Sequence, residues 1–297
     1  MARSPDRVRC SGTPAAPGAL ACASIRSSRM RRLLPLLALG SLTLLASPAA
    51  LAQPGLPAPP NPGVASAPLP ATAYYEIATP AGRLVVRLFD DTPLHRDNFK
   101  RLVQRGFYDS TAFHRVMAGF MIQAGDPNTR DADPMNDGTG DPGYSVPAEM
   151  GRGHYHVRGA LAAARQPDEI NPERASSGSQ FYVVHGTKAT AGWMDEARYS
   201  IRQTTGDTAF TWPDDVTRRY YDEGGAPFLD GQYTVFGELV EGFDALDAIA
   251  TAPTGRTRGE GSPFMDRPDA RLWMVVRPLA GYTPPAPKPA ASTPSGQ

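Results

Sequence analysis

The chain has 297 residues, which allows one large domain or two small ones. Its formal net charge is zero, but residues 1–52 carry +6, from seven Arg and one Asp, while the other 23 basic and 29 acidic residues give −6. A mildly acidic body argues against nucleic acid as the main partner. Both cysteines, Cys10 and Cys22, lie in the basic segment, so the rest cannot build a disulfide framework, a thiolate nucleophile or a cysteine-based zinc site.

Residues 30–52 have the layout of a secretory signal peptide. A Met-Arg-Arg start precedes an apolar run that ends in Ala-Leu-Ala, with small residues on either side of the leucine. We expect cleavage after Ala52 and export to the periplasm, with the cell surface as an open alternative. A retained membrane anchor is less favoured, because Pro35 and Gly40 interrupt a run that is marginal for a span. The polar, patternless residues 1–29 favour translation from Met30.

Two further segments predict little structure of their own. Residues 53–73 form a Pro/Ala-rich stretch that predicts an extended linker, and residues 282–297 predict a disordered tail. The folded body is then residues 74–281, a normal size for one domain.

The body opens with two predicted strands around a tight turn at residues 80–82. Apolar residues alternate with other positions in both strands, as in half-buried strands: Tyr75, Ile77, Leu84, Val86 and Leu88. A helix follows, with Thr92 as its N-cap, Pro93 at its first position and Gly106 at its end. Its predicted buried stripe consists of Leu94, Phe99, Leu102 and Val103.

The rest of the body predicts short strands. They surround a turn in residues 107–126 and cover residues 156–164, 178–184, 228–239 and 271–276, with a second helix at residues 243–250. Many short strands, two separated helices and no βαβ alternation predict a closed antiparallel barrel with helices over its ends. Residues 187–227, the insertion segment, instead predict two helices, at residues 193–203 and 214–221. The insertion segment is either decoration of a surface loop or a lid that shapes the site.

The stretch FHRVMAGFMIQAGD, residues 113–126, carries the candidate chemistry. It places Arg115 among apolar side chains and near one amide, Gln123. A guanidinium is always charged and has five fixed donors, so beside an apolar wall it can aim hydrogen bonds at a carbonyl or amide nitrogen. The alternative is an arginine that snorkels from a strand end. Strand alternation sends His114 to the opposite face, which favours a hydrogen-bonded structural histidine over a general base.

Five segments occur in the order of the cyclophilin-type peptidyl-prolyl cis–trans isomerases, and the chain resembles that family over residues 74–281 apart from the insertion segment. They are FHRVMAGFMIQAGD, NDGTG, GALAAAR, GSQFYVV and LDGQYTVFGEL. The resemblance implies a closed eight-stranded antiparallel β-barrel capped by two α-helices. It also implies an enzyme that rotates X-Pro peptide bonds with no metal or cofactor. His154 and His156 lie two residues apart in a loop with no further ligand in evidence, so they are not expected to bind a metal.

The resemblance implies the site residues as well. Arg115 matches the catalytic arginine, and Gln123 would orient it. The substrate-binding positions are matched by Phe120, Met121, Gly138, Ala164, Arg165, Gln180, Tyr182, Phe228, Leu229 and Tyr233. Four of these depart from the eukaryotic pattern: Arg165 stands for Asn, Tyr182 for Phe, Phe228 for Trp and Tyr233 for His.

The function expected from these residues is isomerisation of X-Pro bonds in exported proteins during folding, by a monomer with no membrane span once its leader is cleaved. A non-catalytic peptide-binding chaperone on the same fold is the main alternative, since it would use the same groove. A scaffold whose insertion segment captures a partner is a third hypothesis. Arg115 favours the enzyme, because a peptide binder needs the hollow but not the charged donor.

The replacement at Phe228 predicts weak sensitivity to cyclosporin, because the indole N–H that helps to hold this inhibitor in the family is lost. An inhibition curve in a proline-peptide isomerase assay tests this expectation. Inhibition at nanomolar cyclosporin would contradict it.

Overall fold

The computed structural model describes residues 68–261 and 265–285. The predicted leader, most of the predicted linker and most of the predicted tail lie outside these residues. The described strands are β1 Tyr74–Thr79, β2 Gly82–Leu88, β3 Arg115–Met117, β4 Met121–Ala124, β5 Ser145–Val146, β6 Ala160–Arg165, β7 Ser176–Val184, β8 Val235–Glu241 and β9 Val275–Pro278. The α-helices are α1 Pro93–Gln104, α2 Ala191–Thr205, α3 Asp214–Asp222 and α4 Phe243–Ala250. None of the described helices is both long and apolar enough to cross a membrane.

The strands form one curled antiparallel sheet in the order β3-β4-β7-β6-β8-β2-β1-β9, with β5 paired to β7 off this path. The fold is mostly β, as predicted, but the prediction of a closed barrel is wrong. No ladder joins the end strands β3 and β9 within the described residues. The free edge of β3 is taken by a loop instead, since the Val116 N–H donates to the carbonyl of Asp266. Just before these two strands, residues 110–113 and 272–274 are joined by three backbone hydrogen bonds around one bridge, between Ala112 and Trp273.

The apolar residues predicted to be buried in the first two strands are buried, although Val85, between two of them, is buried as well. Tyr75, Ile77, Leu84, Val86 and Leu88 are all buried in the main core. Helices α1 and α4 close this core with their apolar stripes, which include Phe99 and Leu102 on α1 and Leu246 and Ile249 on α4. The sheet and these two helices therefore share one hydrophobic core.

The start of α1 differs from the prediction. The Thr92 side chain makes no capping hydrogen bond, and Leu94 is about half exposed at 48%. The buried stripe begins at His95, and Leu94 lies about 100° around the helix from it. The carboxylate of Glu149 caps the helix from a distant loop: its oxygens accept from the N–H groups of Leu94, at 3.1 Å, and of His95, at 3.0 Å.

The strand predicted at residues 228–239 is shorter than expected. A 3₁₀ turn occupies Pro227–Leu229, and β8 begins only at Val235. Pro227 lacks the N–H that a strand would use, and Gly231 adopts a positive φ of 72°, which an extended strand does not allow. The strand predicted at residues 271–276 also begins late, at Val275. Here the cause is different: the residues before Val275 pair irregularly with the segment that precedes β3.

The insertion segment contains α2 and α3, close to the predicted helix bounds. Its apolar side chains, together with Val157 of a neighbouring loop, form a hydrophobic cluster separate from the main core. The buried members are Val157, Ala189, Met194, Ala197, Ile201, Trp212 and Tyr220. The segment is thus packed against the loop around Val157 by side chains of its own.

Replacing the distant cap should destabilise the fold more than replacing the local one. Glu149→Ala leaves two helix N–H groups and the Nδ1 of His95 without their acceptor, so we expect unfolding to become easier by about 3 kcal/mol. Thr92→Val is the matched control, because the Thr92 hydroxyl is buried with no partner among the described residues. Urea unfolding of both variants measures the difference. Equal losses would contradict the assignment of Glu149 as the cap.

Candidate active site

A cluster of apolar side chains, called the hollow below, lies on the outer side of the sheet, between β4, β7 and the 3₁₀ turn at residues 227–229. Met121, Tyr182 and Leu229 are its buried members, and Phe120 and Phe228 are partly buried against them. The rings of Phe120 and Phe228 lie 5.6 Å apart, and Tyr233 meets Tyr182 edge to face at 6.0 Å. Six of the predicted substrate-binding positions are therefore brought together in one place: Phe120, Met121, Tyr182, Phe228, Leu229 and Tyr233.

Strand register explains why these residues meet. In the β4–β7 ladder Met121 pairs with Val184 and Gln123 pairs with Tyr182. Because side chains alternate across a strand, Met121 and Gln123 share a face with Tyr182 and Gln180. In the β3–β4 ladder Arg115 pairs with Gln123, so the Arg115 side chain lies on the same face, at the edge strand β3.

Arg115 stands beside the hollow with its guanidinium partly open to solvent, at 44% exposure of the side chain. Its Cζ lies 5.9 Å from the centre of the Phe120 ring, and Nη1 donates to Oε1 of Gln123 over a long 3.4 Å. The carboxylate of Asp266 lies 3.9 Å from Nε but is held mainly by Arg256, which contacts both of its oxygens. The guanidinium of Arg115 is therefore held in place, and it forms only a long ion pair with Asp266.

A directed chain of hydrogen bonds fixes the two glutamines. Nε2 of Gln180 donates to the carbonyls of Gly138, at 3.0 Å, and Gly140, at 2.9 Å, so its Oε1 must face the other way. That oxygen accepts from Nε2 of Gln123 at 3.1 Å. The Oε1 of Gln123 is left facing Arg115, which makes it an acceptor for the guanidinium.

Asp126 anchors the far end of this chain, and the sequence reasoning missed its role. Its carboxylate is fully buried and accepts from the N–H groups of Asn128, at 2.7 Å, of Gly140, at 3.2 Å, and of Gly138. Burial raises the pKa of this carboxyl, and the backbone donors partly offset the rise. Asp126 is visible in the sequence as the acid of the AGD turn. No local pattern shows that its side chain binds the backbone of residues 138 and 140.

A polar cleft of about 700 Å³ adjoins the hollow. The predicted positions Gln123, Gly138, Ala164, Arg165 and Gln180 all contribute to its lining. The Arg165 side chain itself is nearly buried: Nε donates to the carbonyl of Gln232 at 2.8 Å, and the guanidinium lies 4.5 Å over the ring of Tyr233. It holds Tyr233 against the hollow.

None of His114, His154 and His156 makes a hydrogen bond or ion pair with Arg115. His114 is buried on the opposite face, as expected, but neither ring nitrogen has a hydrogen-bond partner in the described part of the chain. Burial, followed by the neighbouring charge of Arg115, lowers the pKa of His114 to about 4, which keeps the ring neutral at pH 7. His154 pairs with Asp91 and His156 with Asp230. Among the described residues no three His, Cys, Asp or Glu side chains form a group that could hold a metal.

Comparison with known proteins agrees with this geometry. Residues 74–270 match the family model described as cyclophilin type peptidyl-prolyl cis-trans isomerase/CLD. The chain therefore belongs to the cyclophilin-type peptidyl-prolyl cis-trans isomerase family. The match includes the hollow, the polar cleft, the insertion segment and Arg115.

Several bacterial relatives carry the isomerase name. The Staphylococcus haemolyticus protein is 35% identical over 178 residues, which are 60% of this chain and 80% of that protein, and the Staphylococcus saprophyticus protein is 32% identical over 183 residues with the same coverage. A bifunctional phosphatase/isomerase of Streptococcus pyogenes is 34% identical over 187 residues, but these are only 34% of its length. A solved Cryptosporidium parvum cyclophilin matches 70% of this chain and 99% of its own, at 22% identity and a TM-score of 0.48.

The buried anchor of the site can be tested with Asp126→Asn. The amide would turn an N–H₂ group toward backbone donors, so we expect the loop at residues 136–140 to loosen and kcat/KM to fall about tenfold. Hydrogen exchange at Gly138 and Gly140 reports on the loop, and a proline-peptide assay reports on the rate. Asp133→Asn is the matched control, since exposed Asp133 only caps the next 3₁₀ turn. Equal effects of the two variants would exclude the anchoring role.

Proposed function

We propose that this member of the isomerase family uses Arg115 to accelerate rotation about X-Pro bonds in exported proteins. Rotation about such a bond costs roughly 18–20 kcal/mol, because the amide resonance is lost when the bond twists. No bond breaks, so the site needs no nucleophile. It needs only to bind the twisted amide better than either planar form.

The chemistry of the twisted amide suits Arg115. Twisting localises the lone pair on the proline nitrogen, which then becomes a hydrogen-bond acceptor. The exposed side of the guanidinium can donate to that nitrogen or to the proline carbonyl, while Gln123 restrains its other side. A charged donor aimed at a developing acceptor contributes a few kcal/mol, or about two to three powers of ten in rate.

The hollow gives the proline ring its place. Phe120, Met121, Tyr182 and Leu229 offer an apolar surface, and the guanidinium stands at its edge near the Phe120 ring. The end of β6, at Ala164 and Arg165, would bind the flanking peptide along the polar cleft, where Gln180 could contact a substrate carbonyl. The observation that carries the proposal is this placement of one partly solvated arginine beside the hollow.

Export is the second part of the proposal and rests on the sequence of residues 30–52. A leader of this layout would deliver the folded body to the periplasm, where unfolded exported proteins supply X-Pro bonds. We propose that the mature chain acts there as a monomer. N-terminal sequencing of the exported protein tests cleavage after Ala52, and a Met30 start-codon mutant tests the start site.

Arg115→Ala should lower kcat/KM by about two to three powers of ten while circular dichroism and thermal unfolding stay unchanged. Arg115→Lys keeps the charge but loses the planar fork of donors, so it should recover only part of the rate. Arg218→Ala, at an exposed position of α3, is the control and should match the wild type. A protease-coupled proline-peptide assay on the full chain measures all three.

The same assay separates the enzyme from the non-catalytic alternative. Wild-type turnover in Arg115→Ala would remove Arg115 from the mechanism. A wild-type chain that binds proline peptides but does not accelerate their isomerisation would establish a peptide-binding chaperone.

A further inference from the structure

Behind the apolar hollow lies a carboxylate surrounded by donors. The side chain of Asp230 is 1% exposed. Its Oδ1 accepts from the backbone N–H of His156 at 2.7 Å and from Nδ1 of the same residue at 2.8 Å. Its Oδ2 accepts from Nε1 of Trp212 and from the hydroxyl of Tyr220, both at 2.6 Å. A buried carboxylate is costly unless its charge is paired or hydrogen-bonded, and these four donors meet that need.

The hydrogen bonds around Asp230 continue through His156 to Tyr182 in the hollow. With Nδ1 donating to Asp230 and a single proton on the ring, Nε2 of His156 is the acceptor. The hydroxyl of Tyr182 lies 2.9 Å from this Nε2 and donates to it. A buried hydroxyl without a partner would be unfavourable in an apolar wall, so this bond fixes where the Tyr182 ring can stand.

Two of the four donors come from the insertion segment. Trp212 precedes α3, and Tyr220 lies on α3 and is fully buried. The segment also reaches the opposite wall of the hollow, where Trp193 of α2 packs on Phe228 with 6.3 Å between ring centres. Phe228 in turn packs on Phe120. The insertion segment thus supports the hollow from behind at two separate points.

We propose that Tyr220, Trp212, Asp230 and His156 are positioning residues for the isomerase reaction, through which the insertion segment sets the geometry of the proline hollow. The chain of hydrogen bonds runs from the insertion segment through Asp230 and His156 to Tyr182. The proposal rests on the function proposed above, in which Tyr182 contacts the substrate proline. The insertion segment is then part of the active site rather than decoration of a loop.

The test is a double-mutant cycle on the full chain. Tyr220→Phe removes one hydroxyl from Asp230, and we expect it to lower kcat/KM about three- to tenfold, mainly by raising KM. In a Tyr182→Phe background there is no hydroxyl left to position, so the same substitution should change kcat/KM less than about twofold. Tyr221→Phe, the exposed neighbour on α3, is the matched control and should match the wild type in both backgrounds.

The tautomer of His156 gives a readout that is independent of turnover. ¹⁵N NMR of the imidazole should find Nδ1 protonated in the wild type and a mixed tautomer in Asp230→Asn. If Tyr220→Phe fails to fold, Trp212→Phe repeats the cycle with the other donor. If the wild type shows no turnover, the cycle is read from the Kd of a proline peptide.

The outcomes separate the two proposals. Equal losses from Tyr220→Phe in both backgrounds, or no loss in either, would overturn the positioning role even when Arg115→Ala behaves as expected. An Nε2-protonated His156 in the wild type would overturn it as well. A fully active Arg115→Ala variant would instead overturn the proposed mechanism, whatever the cycle gives.

Discussion

The site depends on a hydrogen-bond chain whose direction has only one solution. Asp126 can only accept, so the N–H groups of Gly138 and Gly140 point inward and their carbonyls are free for Gln180. The amide of Gln180 then dictates the orientation of Gln123, and an oxygen is left for Arg115. The buried carboxylate of Asp126 therefore orients the half-exposed guanidinium of Arg115 through Gln180 and Gln123.

The sequence predicted what repeats locally and missed what is joined across the chain. Alternation placed Tyr75 and Leu84 in the core correctly, because period-2 burial is a property of each strand alone. The cap of α1 comes from Glu149, which lies 57 residues after Thr92, and no local pattern links the two. The family resemblance located Arg115 and Gln123 because both lie in one short motif. It gave no role to Asp126, two of whose partners, Gly138 and Gly140, lie in another segment.

The open sheet illustrates the same limit. Each strand was readable from its own residues, but closure depends on which backbone groups meet at the ends. At the β3 edge, Asp266 takes the Val116 N–H, and short edge strands with loop partners are a common way to finish a sheet. The curled sheet still presents β3, β4 and β7 side by side. The site requires only that neighbourhood, so the error about closure leaves the placement of Arg115 unchanged.

One departure from the eukaryotic pattern, Tyr182, depends on side chains elsewhere in the chain. A phenylalanine at position 182 would need no partner, whereas the hydroxyl of Tyr182 needs an acceptor, and His156 supplies it. His156 can accept only while Asp230 holds its other nitrogen protonated. Asp230 would have only the two donors of His156 if Trp212 and Tyr220 were absent, too few for a fully buried charge. One hydroxyl in the hollow therefore links Tyr182 to a segment that the sequence left open as either surface decoration or a lid.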